Sequence, residues 1–254
     1  AAMEMRERFQ SKMQGADVPC TFGTFHSVFF WILRRAYGYT GSQIVTEEEK
    51  RKILTELVQK QELEYEDEEE FIQNLTGEIT LVKSEYMPIE HYYSTTCGEN
   101  EFRQIYQGYQ ERIQQAGKLD FDDMLVYTYE LLKERPDICR QWQEKFQYIL
   151  IDEFQDINRI QYEIVRMLSG DRRNLFVVGD DDQSIYRFRG ARPEIMLGFT
   201  KDYPEAEVIL LNVNYRSSRE IVEGSLRMIA NNKKRYDKKI VSEQSYVTPI
   251  CIHE

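Results

Sequence analysis

Two carboxylates stand directly after a short apolar run near the middle of the chain. The run at residues 148–151 has the length and composition of a buried strand, and Asp152 and Glu153 follow it at once. At the carboxyl end of a strand in an α/β sheet, such a pair faces the edge where ligands bind. The first carboxylate could hold Mg²⁺, and the second could take a proton from a water that attacks a phosphate. An alternative stays open, in which the two acids only favour the amino end of a following helix.

A second polar segment, at residues 178–191, follows another apolar run. It contains three consecutive aspartates at positions 180–182 and then Gln183. Adjacent side chains of an extended chain point in alternate directions, so the three carboxylates are not expected to converge on one metal ion. A capped turn is the expected use of at least one of them. Gln183 carries a neutral amide, which can sense a phosphate group or a bound water.

Two segments combine aromatic rings with polar or cationic groups, as contacts with nucleic-acid bases require. Their members are Tyr186, Phe188 and Arg189 in one segment, and Thr24, Phe25, His26 and Ser27 at the entrance of a predicted helix in the other. Two alternatives stay open: the rings of the first segment could pack in a core, and His26 could be a structural histidine.

A guanidinium follows the last predicted strand of the chain. Residues 214–218 contain Tyr215 and Arg216, and the apolar residues 207–211 before them predict a strand. Arg216 could stabilise the charge that develops on a transferred phosphoryl group, as an arginine finger does. The alternative is an arginine that begins a helix and pairs with a surface acid.

Apolar strands alternate with amphipathic helices in the part of the chain that would position these residues. After residue 118 the predicted strands are 148–151, 174–178 and 207–211, and the predicted helices are 121–134, 137–146, 158–168, 194–201 and 217–231. This alternation is typical of an α/β fold with a parallel sheet that is covered by helices on both faces.

The earlier part of the chain differs from this pattern. Helices are predicted at residues 1–13 and 24–39, with a short strand at 19–23 between them. Residues 40–118 show helical periodicity without strand signals, most clearly at 47–60 and 101–116, which predicts an all-helical insertion. The acidic run at residues 62–70 is expected to be a solvated helix face or loop.

Composition limits the class of protein. The chain has 254 residues, 41% of them hydrophobic, and a net charge of −11, which argues mildly against nonspecific binding to polyanions. Its longest purely apolar run, residues 28–33, is far shorter than the roughly 20 residues that cross a bilayer. The four cysteines form no cluster, so we expect no zinc site and no disulfide framework but reduced thiols in a cytoplasmic protein.

Five motifs occur in a fixed order along the chain. They are TFHS at 24–27, LDFDDML at 119–125, ILIDEFQD at 149–156, VGDDDQSIYRFRGA at 178–191 and NYRSS at 214–218. This series resembles that of UvrD/Rep-type superfamily 1 DNA helicases, and residues 1–8 resemble the end of that family's motif Ia. The resemblance implies an incomplete RecA-like P-loop NTPase core with a helical insertion. Residues 1–39 and 117–212 would form the first motor domain, 40–116 the insertion, and 213–254 the start of a second motor domain.

The resemblance also implies a role for each motif residue. Asp152 would bind Mg²⁺, Glu153 would activate the hydrolytic water, and Gln183 would report the state of the γ-phosphate. Arg216 would contact the γ-phosphate, and Tyr215 would stack on adenine. The positions associated with single-stranded DNA are Thr24, Phe25, His26, Tyr186, Phe188 and Arg189. Position 188 is commonly tryptophan in the family, so the smaller ring of Phe188 implies weaker stacking on bases.

The activity implied is that of an ATP- and Mg²⁺-dependent helicase that moves 3′ to 5′ on single-stranded DNA and unwinds duplex at single-strand/double-strand junctions. No GxxxxGK[ST] phosphate loop occurs in the 254 residues. The chain alone is therefore expected to be an inactive fragment. We also expect it to be monomeric and to have no membrane partner. Two alternatives stay open: a non-enzymatic module that binds single strands or a partner protein, and the motor part of a helicase–nuclease.

Overall fold

The protein is a helix-rich α/β chain in the computed structural model, which describes residues 2–14, 16, 18–61, 63–185 and 190–245. The helices are α1 Ala2–Lys12, α2 Phe25–Tyr37, α3 Glu47–Gln59, α4 Glu68–Ser84, α5 Glu99–Gln115, α6 Phe121–Glu134, α7 Pro136–Lys145, α8 Arg159–Ser169, α9 Pro193–Asp202 and α10 Arg219–Ile229. The strands are β1 Ile149–Ile151, β2 Leu175–Val177, β3 Val213–Ser218 and β4 Val241–Gln244. None of the described helices has both the length and the apolar character needed to cross a membrane.

Several helices begin where a side chain caps the free backbone N–H groups of the first turn. Asp120 accepts a hydrogen bond from the backbone N of Asp123 at the start of α6, and the Asp123 carboxylate accepts one from the backbone N of Asp120. Asn158 and Gln161 form the same reciprocal pair at the start of α8. Such capping boxes are local in sequence, which is why the predicted starts of these helices agree with the structure within a residue or two.

The strands form two separate parallel pairs. β1 pairs with β2, with Ile149 opposite Leu175 and Ile151 opposite Val177, and β3 pairs with β4. The prediction of parallel strands is confirmed, but the prediction that helices cover both faces is wrong for the β1–β2 sheet within the described residues. One face packs on α8 and α9, whereas Leu150 and Phe176 on the other face are 71% and 59% exposed.

Two other expectations about secondary structure are wrong. Residues 19–23 and 207–211 form no strand. Residues 207–211 pair with no other strand in the part of the chain that the structure describes, and Leu211 is 80% exposed. The next strand is β3, so NYRSS lies within a strand rather than after one.

The acidic run at 62–70 ends in the first turn of α4, a helix that lies within the predicted all-helical insertion but whose bounds were not predicted. Asp67 caps α4 by accepting hydrogen bonds from the backbone N of Glu69 and Glu70. The acids of this turn lie beside the positive end of the helix dipole, which favours them there. The last residues of the run, from Glu68 on, are therefore helical, which agrees with the expectation of a solvated helix face or loop.

Apolar side chains form distinct cores. One core joins α2, α6, α7 and α8, and a smaller one lies between the β1–β2 sheet, α8 and α9. A third lies within α3, α4 and α5, which we call the helical region. Isoleucines of α4 and α5 such as Ile79 and Ile105 are fully buried in it. The helical region thus buries its own apolar surface and does not depend on the strands for its core.

A buried group of charges, which we call the lysine–aspartate cluster, joins the helical region to α6. Lys83 of α4 lies 2.8 Å from the carboxylates of both Asp120 and Asp123, Lys50 lies 3.8 Å from Asp120, and the Tyr109 hydroxyl donates to Asp120 at 2.8 Å. Burial alone would raise the pKa of Asp120, but attraction to Lys83 and Lys50 outweighs it and lowers that pKa. Burial raises the pKa of Asp123. The LDFDDML motif therefore serves here as the attachment point of the helical region.

Candidate functional site

The acid pair lies at the carboxyl end of β1. Asp152 and Glu153 are both exposed, and the backbone N of Glu153 donates to Oδ1 of Asp152 at 3.0 Å. Glu153 has φ +52°, in the left-handed region that side-chain-bearing residues rarely adopt. This conformation turns the chain sharply from the strand into the 3₁₀ turn Phe154–Asp156. Because strain of this kind is concentrated at functional sites, the turn marks the acid pair as a candidate site.

Gln155 connects the acid pair to the neighbouring strand and was not singled out from the sequence. Its side chain is buried, with the residue only 2% exposed. Nε2 donates to Oε2 of Glu153 at 2.8 Å, and Oε1 accepts from the backbone N of Asp180 at 3.0 Å. A Cβ on Gly179 would lie only 2.6 Å from Oε1, so a side chain there would push the Gln155 amide out of this position. The sequence signal that could have identified it is a glutamine in the loop after one predicted strand, together with Gly179 in the loop after the next predicted strand.

Gln183 lies at the same edge of the sheet as the acid pair. It ends the 3₁₀ turn Asp181–Gln183, which follows β2, and its Nε2 donates to Oδ2 of Asp180 at 2.7 Å. Because β1 and β2 are adjacent and parallel, their carboxyl ends meet. Hydrogen bonds therefore run from Glu153 through Gln155 and Asp180 to Gln183.

The three aspartates at 180–182 converge, and the expectation that they would diverge is wrong. The segment is a 3₁₀ turn rather than an extended chain, and one oxygen of each carboxylate lies within 4.8 Å of the others. Lys238 occupies the centre, with ion pairs to all three, and Arg235 donates Nε to Asp182 at 2.7 Å. The expectation of a capped turn is confirmed, because Asp180 Oδ1 accepts from the N of Asp182. These acids are therefore neutralised by protein cations.

The ionisation of Asp180 follows from the same contacts. Burial alone would raise its pKa, but hydrogen bonds from Lys238 and Gln183 outweigh burial and lower the pKa. Burial alone would lower the pKa of Lys238, but its hydrogen bonds to Asp180, Asp181 and Asp182 outweigh burial and raise the pKa. At neutral pH this corner of the site holds an ionised carboxylate that accepts hydrogen bonds from both Gln183 and Lys238.

Tyr215 and Arg216 lie on β3, in the other sheet. Tyr215 is 69% exposed, and the Arg216 side chain is exposed and makes no hydrogen bond or ion pair with any residue that the structure describes. Asn214 Oδ1 accepts from the backbone N of Arg216 and of Ser217, which fixes the local backbone. The structure thus brings Asp152, Glu153 and Gln183 together, and it places Arg216 in contact with none of them.

The TFHS segment begins α2. Thr24 is the N-cap and accepts from the backbone N of Ser27, while Phe25 is half-buried against Phe29. The His26 ring meets Phe121 edge to face at 5.6 Å between centroids. Burial lowers the pKa of His26, and the Asp122 carboxylate opposes this only in part, so the imidazole is neutral at pH 7. Exposed Thr24 and half-buried His26 are available to a ligand, whereas Phe25 contributes to packing.

The remaining predicted DNA contacts, Tyr186, Phe188 and Arg189, lie outside the described residues. Residue 190, the glycine that follows them, has φ +82°, and Gly190 lies against Ser84 of α4. The end of the VGDDDQSIYRFRGA motif therefore returns to the helical region.

Comparisons with known proteins agree with the motif series. The family model for the UvrD/REP helicase N-terminal domain matches residues 1–204. The putative ATP-dependent DNA helicase YjcD of Bacillus subtilis is 39% identical over 247 residues, which are 94% of this chain and 32% of that protein. PcrA of Bacillus subtilis is 37% identical over 96% of this chain and 33% of its own length. Rep of Escherichia coli is 34% identical over 97% of this chain and 37% of its own length. The chain thus spans about a third of the relatives it matches.

Proposed function

This chain belongs to the UvrD/REP helicase N-terminal domain family, and on that premise we propose that it forms part of an ATP-dependent DNA helicase. The protein couples ATP hydrolysis to 3′ to 5′ movement on single-stranded DNA and to unwinding at duplex junctions. The observation that carries the proposal is the hydrogen-bonded connection from Glu153 through Gln155 and Asp180 to Gln183. It joins a general base to a phosphate-sensing amide at the ligand-binding edge of a parallel sheet.

Each residue at this edge has a role that its surroundings support. Asp152 would hold Mg²⁺, since exposed carboxylate oxygens are the hard ligands that this ion prefers. The bound ion would neutralise part of the charge of the ATP phosphates. Glu153 accepts the proton of the attacking water. Gln183 senses the γ-phosphate. Arg216 and Tyr215 act from β3 on the γ-phosphate and on adenine, a step that requires the β3–β4 sheet to close on the β1–β2 edge.

The separate cores support the proposed domain boundaries. Residues 1–39 and 117–212 form an incomplete RecA-like motor domain, residues 40–116 a helical insertion, and residues 213–254 the start of a second motor domain. The helical region has a core of its own, and the β3–β4 pair makes a sheet of its own. The first and second motor domains meet where Arg235 and Lys238 bind the aspartates at 180–182.

Single-stranded DNA crosses the start of α2 and the segment that contains Tyr186, Phe188 and Arg189. Thr24 and His26 lie beside the first N–H groups of α2, where the helix dipole attracts phosphate. His26 is neutral and contributes a hydrogen bond or ring contact rather than a charge. Because the chain carries a net charge of −11, we expect the 254 residues alone to bind an oligonucleotide weakly.

The test compares ATP hydrolysis by the intact protein that contains this chain with and without single-stranded DNA. We expect DNA-stimulated hydrolysis that falls by about 100-fold or more in Glu153→Gln, because the substitution removes a general base. Glu163→Gln is the matched control: Glu163 lies nearby in sequence on α8, and its one ion pair with a residue that the structure describes is with Arg166, at 3.5 Å. This control should hydrolyse ATP as the wild type does.

The 254 residues alone are expected to hydrolyse no ATP, since they contain no phosphate loop. An intact protein that binds single strands but shows no DNA-stimulated hydrolysis would favour the non-enzymatic module and overturn the proposal. Equal hydrolysis by the wild type and Glu153→Gln would overturn the role given to Glu153.

A further inference from the structure

A buried amide lies between the two loops that carry the proposed base and the proposed phosphate sensor. Gln155 follows Glu153 by two positions, in the loop after β1, and its side chain reaches across to the loop after β2. At 2% exposure it is shielded from water, so its hydrogen bonds are made with protein groups. Such a group is costly to bury without partners, and Gln155 has a partner at each side-chain atom.

The two ends of the amide do different things. Nε2 donates to Oε2 of Glu153, which fixes the direction in which that exposed carboxylate points. Oε1 accepts from the backbone N of Asp180, the residue whose carboxylate holds Gln183. Only an amide can donate at one end and accept at the other in this geometry. A glutamate would lack the donor, and a methionine would lack both functions.

The backbone strengthens the connection between the loops. The N of Phe154 donates to the carbonyl of Val178 at 2.9 Å, and Ser184 Oγ donates to the carbonyl of Gln155. Gly179 approaches so closely that a Cβ would lie 3.1 Å from the Gln155 backbone N as well as 2.6 Å from Oε1. Because no spare space separates the loops here, a displacement of the sensor loop is transmitted to the Gln155 side chain.

We propose that Gln155 is a positioning residue that sets the Glu153 carboxylate according to the position of the Gln183 loop. The inference rests on the proposed function, since it gives Glu153 and Gln183 their roles in ATP hydrolysis. Gln155 touches neither nucleotide nor water and acts only through Glu153 and Asp180. When the sensor loop moves with the state of the γ-phosphate, the Asp180 N–H moves with it, and the amide turns the carboxylate towards or away from the water.

The experiment measures steady-state ATP hydrolysis by the intact protein with saturating single-stranded DNA. In Gln155→Met we expect kcat to fall by about 10- to 100-fold while the KM for ATP stays within about twofold, because the base is misplaced and the nucleotide contacts are kept. Gln155→Glu keeps the acceptor for Asp180 but sets two carboxylates side by side, and its kcat should fall at least as far.

The matched control is Gln161→Met. Gln161 is a buried glutamine of α8 whose Oε1 accepts a hydrogen bond from the backbone N of Asn158 at 3.1 Å, and among the described residues it forms no hydrogen bond with Glu153, Asp180 or Gln183. It should keep the wild-type kcat even if its thermal midpoint falls as much as that of Gln155→Met. A loss of kcat in Gln161→Met that matches the loss in Gln155→Met would show that Gln155 is merely structural.

A double substitution separates positioning from other roles. In the Glu153→Gln background the residual rate should be almost unchanged by Gln155→Met, since a residue that acts through Glu153 has nothing left to position. An equal fold loss in both backgrounds would overturn the inference. The inference alone would fail if the wild type is active, Glu153→Gln is inactive and Gln155→Met keeps the wild-type kcat. An inactive wild type would sink it together with the proposed function.

Discussion

The lysine–aspartate cluster and the acid pair after β1 use the same side chain in opposite ways. Asp120 accepts from Lys83, from the Tyr109 hydroxyl and from the N of Asp123, and the side chains of Lys83 and Asp120 are 1% and 3% exposed. Asp152 is exposed, and a neighbouring backbone N is its only donor among the described residues. A carboxylate with all its lone pairs bound to protein groups holds a structure together, whereas one with free lone pairs facing water can take a metal ion.

The difference implies opposite costs of substitution. Removing one partner from a buried ion pair leaves a charge without its counter-charge in a medium that solvates it poorly. Removing an exposed carboxylate removes little stabilising interaction, and replacing Glu153 by glycine also relieves backbone strain. The predictions that follow test this contrast, from the largest effect to the smallest.

Lys83→Met should be the most destabilising of these substitutions. It leaves Asp120 and Asp123 buried without the cation that lies 2.8 Å from each, and breaking a buried pair in this way costs about 3–5 kcal/mol. Urea unfolding followed by circular dichroism measures the loss in the free energy of unfolding. Arg51→Met is the matched control, because Arg51 pairs with Glu69 on the surface, where the side chains are 55% and 74% exposed. Its cost should stay below about 1 kcal/mol.

Equal stabilities of Lys83→Met and Arg51→Met would contradict the contrast between buried and exposed charge. Such a result would mean that the carboxylates of Asp120 and Asp123 gain water or protons when the lysine is lost. Far-ultraviolet circular dichroism of the folded variants would then show whether the helical region has separated from α6.

Features that depend on neighbouring residues could be predicted from the sequence, and features that depend on distant partners could not. The helix predicted at 121–134 matches α6, because Asp120 and Asp123 form a capping box within four positions. The apolar run 207–211 resembles a strand but has no partner in the described structure. An apolar run forms a strand only where another strand pairs with it, and the presence of that partner cannot be predicted from the local sequence pattern.

The candidate site shows the same limit. Placing Asp152, Glu153 and Gln183 at one edge required only two predicted parallel strands and the rule that ligands bind at their carboxyl ends. The neutralisation of the aspartates at 180–182 depends on Lys238, more than fifty positions away. The place of Gln155 depends on contact with Gly179 and Asp180 in the loop after β2. Neither of these long-range contacts could be read from spacing along the chain.

Glu153→Gly should make the protein more stable by about 0.5–1 kcal/mol. Glu153 adopts a left-handed backbone conformation that costs a residue with a side chain about 1–2 kcal/mol, and glycine's greater freedom in the unfolded chain cancels part of the gain. Urea unfolding measures the gain, and ATP hydrolysis by the intact protein should be lost in the same variant. A gain in stability with loss of activity would show that Glu153 is needed for ATP hydrolysis and not for folding. A destabilised Glu153→Gly would show that the bond from Gln155 outweighs the strain.

The smallest expected effect concerns His26, whose ring contacts Phe121 at the start of α6. Burial lowers its pKa from 6.5, and attraction to Asp122, beside the lysine–aspartate cluster, opposes the shift. Below pH 6.5 the unfolded chain therefore binds more protons at this position than the folded chain does, so the contribution of His26 to stability falls as the pH falls. The free energy of unfolding of the wild type should decline, relative to that of His26→Gln, between pH 7.5 and pH 5.5.

Titration of the His26 ring by NMR tests the cause of this shift directly. Asp122→Asn removes the carboxylate that favours the imidazolium, so the pKa of His26 should fall further in this variant. For the stability comparison with His26→Gln, the control is His91→Gln, which removes an exposed imidazole elsewhere in the protein. An unchanged His26 pKa in Asp122→Asn would mean that the negative charge of Asp122 is already cancelled by Lys50, which lies 3.6 Å from it. Burial would then be the one cause of the lowered pKa of His26, and the charges of the lysine–aspartate cluster would have no effect on the start of α2.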